Sequence, residues 1–221
     1  MDRINTITLE ATLPDVFAGA ESDEPVCRSE VWRRSVTLRR GENYLIMAES
    51  GTGKSSLCSF IYGNRSDYSG TISFNGTDIR SLGIAEWCDI RRRHIALLPQ
   101  EMRLFGELTV MENIAIKNRL TDRYSEREIM AMLQEVEIDH KAGQRAGLLS
   151  IGQQQRAATV RALCQPFDFI ILDEPVSHLD ARNNRIVAAM VTRVAAEAGA
   201  SVVATSVGNH LLLESPLTLN L

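Results

Sequence analysis

Hydrophobic positions along the chain fall into two periods. Thr6–Leu13 and Val31–Leu38 mix β-branched and apolar residues and read as strands. After the turn-forming Gly41-Glu42-Asn43, Tyr44-Leu45-Ile46-Met47 is a short unbroken apolar run, the pattern of a parallel-sheet strand covered on both faces. From Lys54 the period changes. Leu57, Phe60 and Ile61 recur at helical spacing, and Gly63 is placed to stop the helix. Strand-like runs return at Thr71–Phe74, Ile95–Leu98, Phe167–Leu172, Ser201–Thr205 and Leu217–Leu221. Between Met111 and Gln144 the spacing is helical, and Ile129, Met132, Leu133 and Val136 form one core-facing stripe. Another helix is predicted over Ile186–Ala198, with Gly199 beyond its end, and the small, acidic Gly19–Pro25 reads as a surface loop.

Strands at both ends and helices in the middle predict an α/β core with an inserted helical lobe. The lobe would cover about residues 101–160, leaving 1–100 and 161–221 to the core. A plain doubly wound sheet without a separate lobe fits the same periodicity and stays open.

Composition narrows the function classes. Of 221 residues, 44% are hydrophobic and 24% charged, which is globular usage with ample core material. The 24 basic against 28 acidic residues give a net charge of −4, a poor match to sequence-independent nucleic-acid binding. No apolar window reaches the roughly 18–20 residues of a membrane span; Ile186–Val207 is interrupted by Arg193 and Glu197. The start, Met1-Asp2-Arg3-Ile4-Asn5, lacks a secretory signal pattern. Cys27, Cys58, Cys88 and Cys164 form no C-x-x-C pair and suit reduced thiols. The expectation is an intracellular chain that meets a membrane only through a partner, with no regulatory domain behind Leu221.

Candidate chemistry begins at Ala48-Glu49-Ser50-Gly51-Thr52-Gly53-Lys54-Ser55-Ser56, between a buried strand and a helix. Glycines there let successive N–H groups face one anion, and the helix start adds donors and positive potential. Lys54 would bring a full charge to the β- and γ-phosphates of a nucleotide, and the Ser55 hydroxyl is placed for Mg²⁺. Ala48 stands where the phosphate-loop pattern usually has glycine, so the first turn of the loop is expected to differ slightly. The bland alternative is a Gly-Ser-Thr turn that happens to precede a helix. A second cluster, Ile170-Ile171-Leu172-Asp173-Glu174-Pro175, ends an apolar run in two acids at the carboxyl end of a strand, where α/β sheets bind ligands. Asp173 would reach Mg²⁺ and Glu174 would polarise the attacking water. Taken alone, this pair also fits a solvated turn.

The most diagnostic stretch is Leu149-Ser150-Ile151-Gly152-Gln153. Locally it is a capping box, with Ser150 and Gln153 satisfying each other's backbone N–H groups. With the two motifs above, however, the chain resembles the ATP-binding subunits of ABC transporters over nearly its whole length. The stretch is similar to that family's L-S-G-G-Q signature, with Ile151 replacing the first glycine. The resemblance implies ATP and Mg²⁺ as ligands, ATP hydrolysis, and a P-loop NTPase core with a mixed sheet and a helical subdomain. It implies a head-to-tail pair, homodimer or heterodimer, in which Ser150, Gly152 and Gln153 of one subunit close on the γ-phosphate held by the other. An integral-membrane subunit would dock near Gln100, in Leu98-Pro99-Gln100, a residue the resemblance also places on Mg²⁺ or the attacking water. Ser177-His178-Leu179-Asp180 resembles the segment that crosses the dimer seam. Leu104, Leu108, Thr109, Val110, Glu112, Asn113 and Ile114 look like the short subunits of lipoprotein-releasing, cell-division and macrolide-efflux systems.

Two family elements are less plain. The histidine expected after the strand Ser201–Thr205 is replaced by Ser206-Val207, and His210 further on reads as a surface residue, as do His94 and His140 at the surface or a strand edge. The adenine-stacking aromatic is best matched by Phe17, which also suits a core role, whereas Trp32 reads as packing within a strand. A working ATPase is therefore weighed against a nucleotide-dependent clamp that hydrolyses poorly. An ABC-type ATPase of DNA repair is disfavoured, because the span from Gln100 to Leu149 carries no sustained heptads. A translation-factor-like member would need two such cores, and a small-molecule kinase would have no use for the signature-like helix.

Overall fold

The computed structural model describes residues 3–19 and 24–221. Residues 20–23, the middle of the predicted acidic loop, lie outside the described residues. The chain runs β1 (Thr6–Pro14), a 3-10 turn at Asp15–Phe17, α1 (Glu24–Arg28), β2 (Ser35–Arg39), β3 (Tyr44–Met47), α2 (Lys54–Ile61), β4 (Tyr68–Phe74) and β5 (Thr77–Asp78). It continues through α3 (Ile84–Arg93), β6 (Ile95–Leu98), α4 (Val110–Asn118), α5 (Glu126–Glu135), α6 (Ile151–Leu163), β7 (Phe169–Asp173), α7 (Ala181–Ala198), β8 (Ser201–Ser206) and β9 (Leu217–Asn220). No described helix is long and apolar enough to cross a membrane.

The strands divide into two sheets. One is antiparallel, in the order β2-β1-β4-β5, and the other parallel, in the order β6-β7-β8-β3-β9. Side chains alternate across the parallel sheet. Leu45, Ile170, Leu172, Val202 and Ala204 join the cluster built from α4 to α7. Ile46, Phe169, Ile171 and Val203 face the other way, onto α2 and the antiparallel sheet. Helices thus cover one face and α2 with a second sheet covers the other, which is why these strands read as unbroken apolar runs. In the antiparallel sheet the β1–β4 register shifts between Glu10 and Leu13. Gly70 makes that irregularity possible, since a Cβ there would lie 2.4 Å from the Ala11 carbonyl oxygen.

Three expectations are corrected. The strand predicted over Val31–Leu38 begins only at Ser35. Val31 and Trp32 are buried in a turn, where the Ser29 hydroxyl accepts from both their N–H groups, at 3.1 and 2.8 Å. The last helix starts at Ala181 rather than Ile186, because Asp180 caps a polar first turn that periodicity cannot register. His94 is buried rather than superficial. Its Nδ1 lies 2.7 Å from Asp168 Oδ2, and that same oxygen accepts from Ile4 N–H at 2.8 Å. His140 is exposed as expected.

Candidate functional site

The carboxyl ends of β3, β7 and β8 point the same way because the strands are parallel, and the sequence motifs gather there. Beyond Met47 the chain turns through residues 48–56. Ala48 N–H donates to the Ser206 carbonyl at 3.1 Å, tying the loop to β8. Ala48 is not among the residues with positive φ, so alanine meets no backbone objection at this position. Gly51 and Gly53 do take positive φ, +85° and +99°, which lets the loop turn and then enter α2. Gly53 is also crowded: a Cβ would approach Trp32 Cζ2 to 3.0 Å and Phe17 Cε2 to 3.3 Å. Trp32 supports the loop from below, its Nε1 donating to the Thr52 carbonyl at 2.9 Å.

Lys54 opens α2 and is 5% exposed. Its Nζ donates to the Glu49 carbonyl at 2.8 Å, and Thr52 Oγ1 donates to the same oxygen at 2.9 Å. The loop is therefore closed on its own ammonium group, and the first N–H groups of α2 have no intrahelical acceptor. Donors, a helix start and a buried cation make a cradle whose chemistry suits a phosphate. Ser55 is exposed, and Ser56 accepts from Arg65 at 2.9 Å.

The acidic pair closes the other side. Asp173 ends β7, is 4% exposed, and accepts from Thr205 Oγ1 at 2.8 Å. Thr205 Oγ1 in turn accepts from Glu174 N–H at 3.2 Å. Glu174 adopts φ +50° and places Oε1 3.8 Å from Lys54 Nζ. Beneath them, burial and then the Asp173 charge push the Cys58 thiol well above its ordinary pKa, so it stays protonated and inert. Ser206, in the position where the resemblance expects histidine, is 1% exposed, and its hydroxyl has no partner.

The remaining predicted residues lie at helix starts and turns. Ser150 caps α6: its Oγ accepts from Gln153 N–H at 3.3 Å, while Gln153 Oε1 accepts from Ser150 N–H at 3.0 Å. Ile151 is exposed, whereas Gly152 turns inward, where a Cβ would lie 3.2 Å from the His178 carbonyl oxygen. Asp180 Oδ1 accepts from Asn183 N–H at 2.8 Å and Nδ2 at 3.0 Å, and the backbone bond first of all holds its carboxyl below the usual range. Gln100 is exposed in the turn after β6, on the same edge of the sheet as the loop and the acids. Phe17 is half-buried against Gly53, and His210 is exposed.

Structure thus joins Lys54, Asp173 and Glu174 in one place, while Ser150 and Asp180 each cap their own helix. Two residues were not foreseen. Thr205 bridges the acids, and Gln155, 2% exposed, donates from Nε2 to the Glu174 carbonyl at 3.0 Å. Thr205 closes a strand-like run and Gln155 continues a glutamine run, so neither carried a signal of its own.

A loop cradle at a helix start, faced by two acids from the neighbouring parallel strands, defines a nucleoside-triphosphate-hydrolysing α/β protein. Residues 32–177 match the family described as ABC transporter, and the chain belongs to that family, whose ATP-binding units are ATPases. It is 32% identical over 188 residues to the ABC transporter ATP-binding protein YtrE of Bacillus subtilis (strain 168), covering 84% of this chain and 80% of that protein. It is 28% identical over 190 residues to the lipoprotein-releasing system ATP-binding protein LolD of Buchnera aphidicola, covering 85% and 83%. Among solved structures it is similar to the dimeric bacterial ABC transporter cassette MJ0796, with TM-score 0.74, 25% identity, and 90% and 87% of the two chains covered.

Proposed function

We propose that this chain is the ATP-hydrolysing subunit that drives an integral-membrane transporter, working as one of a pair of ATP-binding subunits on the cytoplasmic face of the cell membrane. The observation that carries the reading is the meeting of Lys54 and Glu174 across 3.8 Å at the mouth of the phosphate loop. A second copy or a sister chain would complete the pair, and the dimeric MJ0796 relative supports that arrangement. Residues 101–160 would act as the helical subdomain facing the membrane subunit, with Gln100 at its hinge.

Each group then has a task. The N–H groups of residues 48–56 bind the phosphates, and Lys54 exchanges the Glu49 carbonyl for the β- and γ-phosphate oxygens. Ser55, Asp173 and Gln100 would hold Mg²⁺, which when bound neutralises phosphate charge and orients the oxygens around phosphorus. Among the described residues no cluster of three His, Cys, Asp or Glu could hold a metal alone, so nucleotide oxygens must complete this set. Glu174 accepts the proton of the attacking water. Phe17, beside the loop, offers its ring to the adenine. Ser150, Gly152 and Gln153 of the opposing subunit cover the γ-phosphate with the α6 helix start, and Asp180 lies at the seam. Ile151, 53% exposed, occupies the contact surface, so side chain rather than bare backbone sets how closely the subunits approach.

Purified protein, alone and with its membrane subunit, should hydrolyse Mg-ATP, and Glu174→Gln should abolish turnover while preserving nucleotide binding. One observation favours a second reading, a clamp with little hydrolysis: the histidine expected beside the γ-phosphate is the buried Ser206, and His210 is exposed. Absence of turnover in both settings would establish the clamp. Ser206→His should accelerate hydrolysis, and an unchanged rate would mean that this position does not face the nucleotide.

A further inference from the structure

Glu174 is held in an unusual backbone state. Its φ of +50° is costly for a residue with a side chain, and Pro175 behind it disfavours helical alternatives. Such a conformation persists only where neighbouring groups over-determine it. Three do so: its N–H donates to Thr205 Oγ1 at 3.2 Å, and its carbonyl accepts from Gln155 Nε2 at 3.0 Å and Ser177 Oγ at 3.2 Å. Gln155 is the only one of these contributed by α6. Its amide is fully engaged, since Nε2 also lies 3.3 Å from Ser177 Oγ and Oε1 accepts from His178 N–H at 3.1 Å. One side chain therefore grips both ends of the segment 174–178.

We propose that Gln155 is a positioning residue for Glu174, coupling the base to the helix whose first turn serves the opposing subunit; this rests on the roles assigned above to Glu174 and Ser150. The geometry gives the coupling a rigid path. Gln155 lies within the second turn of α6, and Gly152, one turn earlier, packs on the His178 carbonyl. A displacement of the Ser150 end therefore moves the Glu174 carbonyl and the His178 N–H together. At the far end of the same helix, Arg161 donates to the carbonyls of Met102 and, at 2.7 Å, of Arg103, just beyond Gln100. Helix α6 thus touches the segments after both β6 and β7, and Gln155 is its contact with the base.

The test uses the full chain, alone and with its membrane subunit. Gln155→Met keeps shape and removes both hydrogen-bonding ends. It should lower kcat by about tenfold or more while KM for Mg-ATP stays within about twofold, because binding groups are untouched and only the base is misplaced. Gln155→Glu keeps the acceptor for His178 N–H but, when ionised, cannot donate to the Glu174 carbonyl. Protonation restores that donor, so its turnover relative to the parent should rise between about pH 8 and about pH 6, whereas Gln155→Met shows no such trend. Hydrogen exchange over residues 174–180 should accelerate in Gln155→Met, with α2 unchanged. An unaltered kcat, a loss carried equally by KM, or a flat pH ratio would overturn the proposal. Should the parent itself show no hydrolysis, the base role of Glu174 falls; exchange at 174–180 still judges the clamp, and unchanged exchange refutes it.

Discussion

Replacing Thr205 by valine is the sharpest test of how the acidic pair is built. The substitution keeps β-branching and volume, so strand β8 loses little in packing or propensity. What disappears is one hydroxyl in a site that is 1% exposed. That hydroxyl donates to the Asp173 carboxylate at 2.8 Å and accepts from Glu174 N–H at 3.2 Å. A buried bond to a charged group contributes about 1.5–3 kcal/mol, and an orphaned backbone N–H costs about 1–3 kcal/mol. The two share one atom and the site can relax, so the expected loss is about 2–4 kcal/mol rather than the full sum. Urea unfolding should show a lower midpoint at unchanged slope. Thr205→Ser separates the causes: it keeps the hydroxyl and should cost only about 1 kcal/mol, the value of a buried methyl. A loss below about 0.5 kcal/mol for valine, or equal losses for valine and serine, would refute the claim that the hydroxyl organises the acids.

Other consequences are equally direct. Gly53→Ala puts a side chain at φ +99° and 3.0 Å from the Trp32 ring, so it should destabilise by at least about 1–2 kcal/mol and weaken ATP binding, read by thermal melts with and without nucleotide. Asp168→Ala leaves His94 Nδ1 and Ile4 N–H without their acceptor, and should cost about 2–4 kcal/mol by denaturant unfolding, well above any nearby surface substitution. In the capping boxes, backbone and side-chain bonds from Thr109 hold Glu112 below the usual carboxylate range, and side-chain and backbone bonds from Ser125 do the same for Glu128. A folded pKa below the unfolded one gives stability that is present above the unfolded value and lost as pH falls through the folded value. The Glu112→Gln/Glu128→Gln variant should therefore melt below the parent at neutral pH and converge on it in acid.

Much of this architecture was legible because the informative residues are near neighbours. Tyr44–Met47, Ile95–Leu98 and Phe169–Leu172 are unbroken apolar runs because both faces of the parallel sheet are covered, and all three strands lie where the pattern puts them. Residues 48–56 could be read as a phosphate loop because glycines, lysine and the helix start are contiguous. Helix α3 was missed for the opposite reason: only Ile90 is fully buried and Trp87 half-buried, so no stripe repeats. Val31 and Trp32 looked like strand because apolarity reports burial, not the Ser29 turn that buries them. His94 looked superficial because its partner Asp168 is distant in sequence and reaches it only through the packing of β6 against β7.

The same division explains which part of the site stayed hidden. Thr205 reaches Asp173 because β7 and β8 pair with these two residues opposite each other, in step with Ile171 opposite Val203. A slip by one residue would place Ala204 or Ser206 against Asp173 and turn the core face of β8 over. The apolar alternation that fixes the register therefore also selects the donor for the acid. The phosphate loop is a local object that sequence spells out, whereas the organisation of Asp173 and Glu174 is a property of sheet register and of the α6 contact through Gln155. Substitutions in the β8 core that loosen register should for that reason disturb the acids before they disturb the loop, a difference that hydrogen exchange at residues 173–174 against 51–56 would resolve.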